Sequence, residues 1–213
     1  LQPDAPPRKK RSKLVVAVTI VASLIVVVAG ICLIEAFWAG VNDAVSDLGA
    51  AASGEGDPET ADGWQVFNSK AGGFRVEMPR YPKSDTQHVS TMMGLIELNL
   101  FSVELGEAGY MVGYSDFPEL YVNSGNVDDM LDGARDGAAA NVNGRVVKET
   151  RMRLGRYPGR EFWIEGTVDG LSGMGWQRIY LVGNRLYQLV VAGPRDSFPT
   201  QDGQRFLDSF ALP

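Results

Sequence analysis

Cysteine and histidine are almost missing from this chain of 213 residues: Cys32 and His88 are the single examples of each. One thiol cannot form a disulfide within the chain, so any folded part must be held by a packed core. A zinc site lacks its usual His and Cys donors, and no D-x-D-x-D-G loop offers a calcium site. The glycines at 170–175 have no Gly-Lys-Ser/Thr ending and so do not make a phosphate loop. No cofactor and no metal is expected. Basic residues are scarce too. From residue 36 onward 15 basic residues face 24 acidic ones, a net of −9. That excludes the broad basic footprint of a nucleic-acid binder.

Long apolar runs are absent but for one, at 14–34, which only Thr19, Ser23 and Cys32 interrupt. Twenty-one residues at about 1.5 Å each span roughly 30 Å, the hydrocarbon thickness of a bilayer. Arg8, Lys9, Lys10, Arg11 and Lys13 precede it, and Glu35, Asp43 and Asp47 follow it. The positive-inside rule then puts the N-terminus in the cytoplasm, with Phe37 and Trp38 at the outer interface. A cleaved signal peptide would have a shorter apolar region and a nearby A-x-A site, so a retained anchor is expected. The organisation read here is a basic cytoplasmic tail (1–13), a transmembrane helix (14–38), an acidic flexible linker (39–62) and an extracytoplasmic domain (63–213). The expected location is the cell membrane, single-pass. Cys32, Ala36 and Gly40 form a small-residue face on the anchor, read as incidental.

Past residue 63 the pattern turns to period two. Phe74, Val76 and Met78 alternate with Arg75 and Glu77. Further strands are expected at 95–104, 110–115, 145–153 and 161–168, and a hairpin at 176–182 and 186–192 around Gly183-Asn184-Arg185. Val127, Met130, Leu131, Ala134, Ala138 and Val142 recur at helical spacing, with Asn126 as N-cap, Asp128 and Asp129 at the positive end and Gly144 as the stop. A shorter helix is expected at 200–210, with Phe206, Leu207 and Phe210 inward. This is an α+β class: an antiparallel β-sheet flanked by helices.

Several segments carry a resemblance. These are Phe74-Arg-Val-Glu-Met-Pro, Tyr110-Met-Val-Gly-Tyr-Ser-Asp-Phe-Pro, Leu154-Gly-Arg-Tyr-Pro-Gly-Arg-Glu-Phe, Gln177-Arg-Ile-Tyr-Leu-Val-Gly-Asn-Arg-Leu-Tyr-Gln-Leu and Phe206-Leu-Asp-Ser-Phe. Their order resembles the PsbP/Mog1-like superfamily over about 64–212, especially its small bacterial domains of unknown function. The resemblance implies an α/β/α sandwich and a binding or assembly role. It carries no catalytic signature and transfers no site residue.

Candidate chemistry is thin. His88 has no evident catalytic partner. Glu161 and Glu165, four apart on a strand, face one side, as a solvated or salt-bridged pair or as acid–base carboxylates. Arg145, Lys148, Arg151, Arg153, Arg156 and Arg160 are the one basic stretch of the domain, with Arg145, Glu149, Arg151 and Arg153 on one strand face. They are the candidate interaction patch, suited to an acidic protein, an anionic glycan or headgroups. Tyr157-Pro158-Gly159 reads as a turn, and Trp64, Trp163 and Trp176 as core. The expected function is a membrane-anchored binding or assembly module without catalysis, meeting a protein or envelope ligand. The alternative is a carboxylate-dependent hydrolase.

Overall fold

The computed structural model describes residues 63–91, 94–168 and 171–213. The expected tail, transmembrane helix and linker (1–62) lie outside the described residues. Among the described residues no helix is long and apolar enough to cross a membrane.

The described residues open with a hairpin of their own, β1 (Gln65–Ser69) and β2 (Phe74–Met78). Three strands follow: β3 (Lys83–Thr91), β4 (Gly94–Leu105) and β5 (Ala108–Asp116). Helices α1 (Glu119–Ser124) and α2 (Val127–Asn141) then carry the chain to β6 (Arg145–Leu154). Strands β7 (Tyr157–Val168), β8 (Leu171–Val182) and β9 (Arg185–Pro194) and helix α3 (Thr200–Ser209) complete it. Seven strands form one antiparallel sheet in the order β3-β4-β5-β9-β8-β7-β6. Two-residue turns join β4 to β5, β6 to β7 and β8 to β9, whereas α1 and α2 separate β5 from β6. That connection takes the chain to the far edge. Three hairpins then walk it back until β9 pairs with β5 at the centre.

The period-two pattern becomes two apolar faces. On one, Leu98, Leu100, Met111, Phe162, Ile164, Ile179 and Leu181 meet Met130, Leu131, Ala134 and Ala138 of α2. On the other, Tyr110, Val112, Trp176, Tyr180, Leu189 and Val191 lie beneath Phe74, Val76 and Met78 of the hairpin and Phe206, Leu207 and Phe210 around α3. Strand β5 is buried from Ala108 to Ser115 because both faces are covered there. Burial of this kind, at about 25 cal/mol per Å² of apolar surface, is what holds a domain whose described part has no thiol.

Helix α2 starts where expected: the Asn126 side chain accepts a hydrogen bond from the Asp128 N–H at 2.9 Å. It ends one residue early, and Asn143, at φ 44°, takes the left-handed position expected of Gly144. Helix α3 matches its expectation to within a residue. The read strands all exist, most of them longer by a residue or more. No apolar period marks β1 or helix α1, and around Gln87 and His88 the sequence suggests no more than a short strand or loop, where β3 runs for nine residues. Strand β3 reads KSDTQHVST and is an edge strand, largely exposed, so little apolar alternation marks it.

The Tyr157-Pro158-Gly159 turn is corrected. These residues open β7, and the turn lies at Gly155, whose φ is +57°. Pro158 precedes the first β7–β8 pair, Gly159–Tyr180, so its missing N–H breaks no bond on that side. Gly159 is there for space. A Cβ would sit 2.5 Å from the Ile179 carbonyl oxygen and 2.5 Å from Tyr180 Cδ1.

Arg185 ties the separate hairpin down. Its guanidinium donates to both carboxylate oxygens of Asp116, at 2.6 and 2.7 Å, and to the carbonyls of Ala71 and Gly72, at 2.9 and 3.0 Å. It also stacks on the Tyr114 ring at 4.4 Å, and the Tyr187 hydroxyl donates to Gly72 at 2.6 Å.

Candidate interaction surface along strand β6

Strand β6 ends the sheet and carries most of the basic stretch. Its pairing with β7 slips between Val146 and Lys148, so Val147 is an extra residue. A slip by one residue reverses the faces on either side of it. Arg151 and Arg153 stand opposite Arg160 and Pro158, on the side of α2. Lys148 and Arg145 stand opposite Trp163 and Glu165, on the side of α3. The expectation that Arg145 shares a face with Arg151 and Arg153 is therefore corrected: the bulge sends it to the opposite side.

Arg160 is not a surface residue. It is 2% exposed, on a strand covered by α2. Asp128 (2.5 Å), Asp132 (3.2 Å) and Glu149 (3.2 Å) surround its guanidinium, which also donates to the Gly159 carbonyl. Asp128 and Asp132 are four apart on α2, so one helix face presents both. Arg135 extends the cage to Asp136 and Glu149. The hydrogen bond from Arg160 holds the Asp128 carboxyl below its usual range. This cage was not anticipated. Its sequence signal was the i, i+4 acids on a helix preceding an arginine-rich strand, but pairing them requires the crossover to be known.

The remaining cations are exposed. Arg151 is 70% exposed, with Asp128 at 3.6 Å. Arg145 is 75% exposed and bonded to Glu165 at 2.7 Å. Lys148 is exposed and makes no ion pair among the described residues. Arg153 donates to the Arg156 carbonyl, and Arg156 lies over the Tyr157 ring at 5.1 Å. Between the start of α2 and β6–β7 lies an open cleft of about 440 Å³, lined by Asn126, Asp128, Arg151, Arg153, Pro158 and Arg160 among others. The structure thus gathers Arg151, Arg153 and Arg160 at one cleft, and sets Arg145 and Lys148 across the sheet.

Glu161 and Glu165 do share the α3 side, with Trp163 between them. Each is already occupied. Arg178 donates to Glu161 at 2.6 Å and reaches Asp208 at 2.7 Å. Glu165 is bonded to Arg145 and Arg195. Neither lines the cleft. His88 lies on exposed β3, 3.6 Å from Glu97. Trp64 and Trp176 are core, whereas Trp163 is only half-buried, stacked on Trp176 at 4.5 Å. No group of three or more His, Cys, Asp or Glu side chains is placed to hold a metal ion among the described residues.

No family model matches the chain, and no curated protein does. Solved structures do. Cyanobacterial PsbP (CyanoP) from Synechocystis sp. PCC 6803 superposes with a TM-score of 0.53 at 11% identity, covering 78% of this chain and 99% of that one. LpqN of Mycobacterium tuberculosis, a protein involved in cell envelope biogenesis, gives 0.41 at 12% identity, over 78% of this chain and 88% of its own. PA94 of Pseudomonas aeruginosa, a protein of unknown function, gives 0.41 at 10% identity, over 65% and 88%. At such identities the likeness is one of fold, and the CyanoP superposition, which spans nearly all of that protein, carries it. The chain has a PsbP/Mog1-like fold.

Proposed function

We propose that this chain is a membrane-tethered, extracytoplasmic binding or assembly module without chemistry of its own, which meets a protein partner along β6. The observation that carries the reading is the exposed set Arg145, Lys148, Arg151 and Arg153 on an open sheet edge, beside the cleft at the start of α2. Four solvent-facing cations on one edge strand stand out in a domain whose sequence from 63 to 213 is net −3. An acidic partner surface would complement them and steer its own approach. The tether is supported by the apolar run at 14–34 with basic residues before it and acids after. The absence of chemistry is supported by the state of the two candidate carboxylates, each bound to arginine rather than poised for proton transfer.

The test is site-specific photocrosslinking of the full chain in native membranes. A crosslinking residue at position 151 is expected to yield a discrete protein adduct. One at Thr86, on the opposite edge strand, should not. The adduct should fade in Arg153→Glu. Adducts of equal pattern from both positions, or none from 151, would overturn the reading.

A further inference from the structure

We propose that the partner binds as an added strand: an extended acidic segment that pairs with the free edge of β6 and carries its carboxylates in a broken alternation. The proposal rests on the reading above and gives the partner its chemistry.

An edge strand offers every second N–H and C=O outward, ready to pair with another chain. The sheet has two edges, β3 and β6. Strand β3 has one lysine, one aspartate and one histidine in nine residues, a balance that selects for no partner in particular. Strand β6, RVVKETRMRL, has four cations and one acid. That acid, Glu149, is already bound to Arg160 and Arg135. A second copy of β6 laid alongside would set like charges opposite one another, which destabilises a ladder. An acidic strand meets the opposite case, so the edge rejects itself and selects for acid.

The bulge adds a register code. Pairing with β7 sets Arg153, Arg151, Lys148 and Arg145 against Pro158, Arg160, Trp163 and Glu165. Along β7 those partners are spaced by two, three and two residues. A strand reading β6 from its free side in the same antiparallel register would place carboxylates at that spacing, E-x-E-x-x-E-x-E. Two would point to the α2 side, toward Arg151 and Arg153, and two to the α3 side, toward Arg145 and Lys148. An unbroken E-x-E-x-E-x-E strand can satisfy only one of these faces. Arg145 and Arg151, each at least 70% exposed, can turn to an incoming strand without leaving a core.

The experiment uses the full chain in detergent micelles and capped peptides of Glu, Thr and Val. One peptide has glutamates spaced two-three-two. A second has the same composition with glutamates at every other position. A third repeats the first with alternate backbone nitrogens methylated, keeping charge and removing the donors of strand pairing. The first is expected to bind roughly tenfold tighter than the second, and the third to lose binding by roughly tenfold or more. Hydrogen exchange should slow in 145–154 and not in 83–91. Arg145→Gln/Lys148→Gln and Arg151→Gln/Arg153→Gln should each weaken the first peptide, measured at a temperature where circular dichroism shows the variant folded. Equal binding by all three peptides, no protection of β6, or a preference for phosphatidylglycerol vesicles over the peptides would overturn the proposal. If the peptides fail while crosslinking from position 151 still captures a protein, strand addition falls and the binding module stands. If both fail, both fall.

Discussion

Arg185 illustrates how much one side chain carries. Sequence places it at a hairpin turn, where a polar residue needs no special reason. Tertiary structure gives it a fork onto Asp116, two carbonyls of the β1–β2 turn and an aromatic face, and the hydrogen bonds to Asp116 above all push its pKa further above its ordinary value. Lysine would keep the charge and lose the fork. Arg185→Lys is therefore expected to cost about 1–3 kcal/mol, read as a lowered urea midpoint. Two carboxyls make a second prediction. Asp128 is held low by the hydrogen bond from Arg160. For Asp208, burial pushes upward, but hydrogen bonds from Gln204 and Arg178 outweigh it and the net shift is down. A depressed native pKa means that the unfolded chain binds more protons in the acid range, so stability rises with pH there. The contribution is full above the unfolded value of about 3.9 and is lost as pH falls through the native ones. Urea midpoints should fall modestly below about pH 4, because both carboxylates are about half exposed and screened by solvent, and Asp128→Asn should flatten part of that slope. An identical slope in the variant would refute the assignment.

Elements were legible where one face was apolar and the other polar. Helix α2 was readable from its spacing and cap, and β2, β4 and the β8–β9 hairpin from alternation. Strand β3 was not, because an edge strand with most of its length in water needs no apolar side. The false turn at Tyr157-Pro158-Gly159 came from reading glycine as punctuation. Gly155 does act that way. Gly159 instead makes room for the Tyr180 ring, a contact with the next strand that no local signal announces. Gly159→Ala should then cost about 1–3 kcal/mol by overpacking, measurable in the same urea titration. The β6 bulge was equally invisible. It appears only when ten residues of β6 are laid against β7, and it decides which cations share a surface.

The described domain is a seven-stranded sheet between two cores, and strands β4 to β9 contribute side chains to both. Leu131 packs on the α2 side, whereas Trp64 and Trp176 belong to the α3 side. Leu131→Ala should lower stability by about 2–5 kcal/mol. Tryptophan fluorescence and far-ultraviolet circular dichroism should still report one coincident transition, because the shared sheet couples the faces. Separate transitions would show that the cores melt independently. By itself the sequence determined the antiparallel α+β class, most of its elements, the inward residues of α2 and α3 and the presence of one basic stretch, because periodicity and charge are local quantities. Only tertiary structure decided what that stretch is. The crossover brought the acids of α2 onto Arg160 and took it out of solvent, and the bulge divided the other cations between two faces. Both outcomes depend on which strand lies beside which, and that is settled by packing over the whole sheet, not by neighbours in the chain.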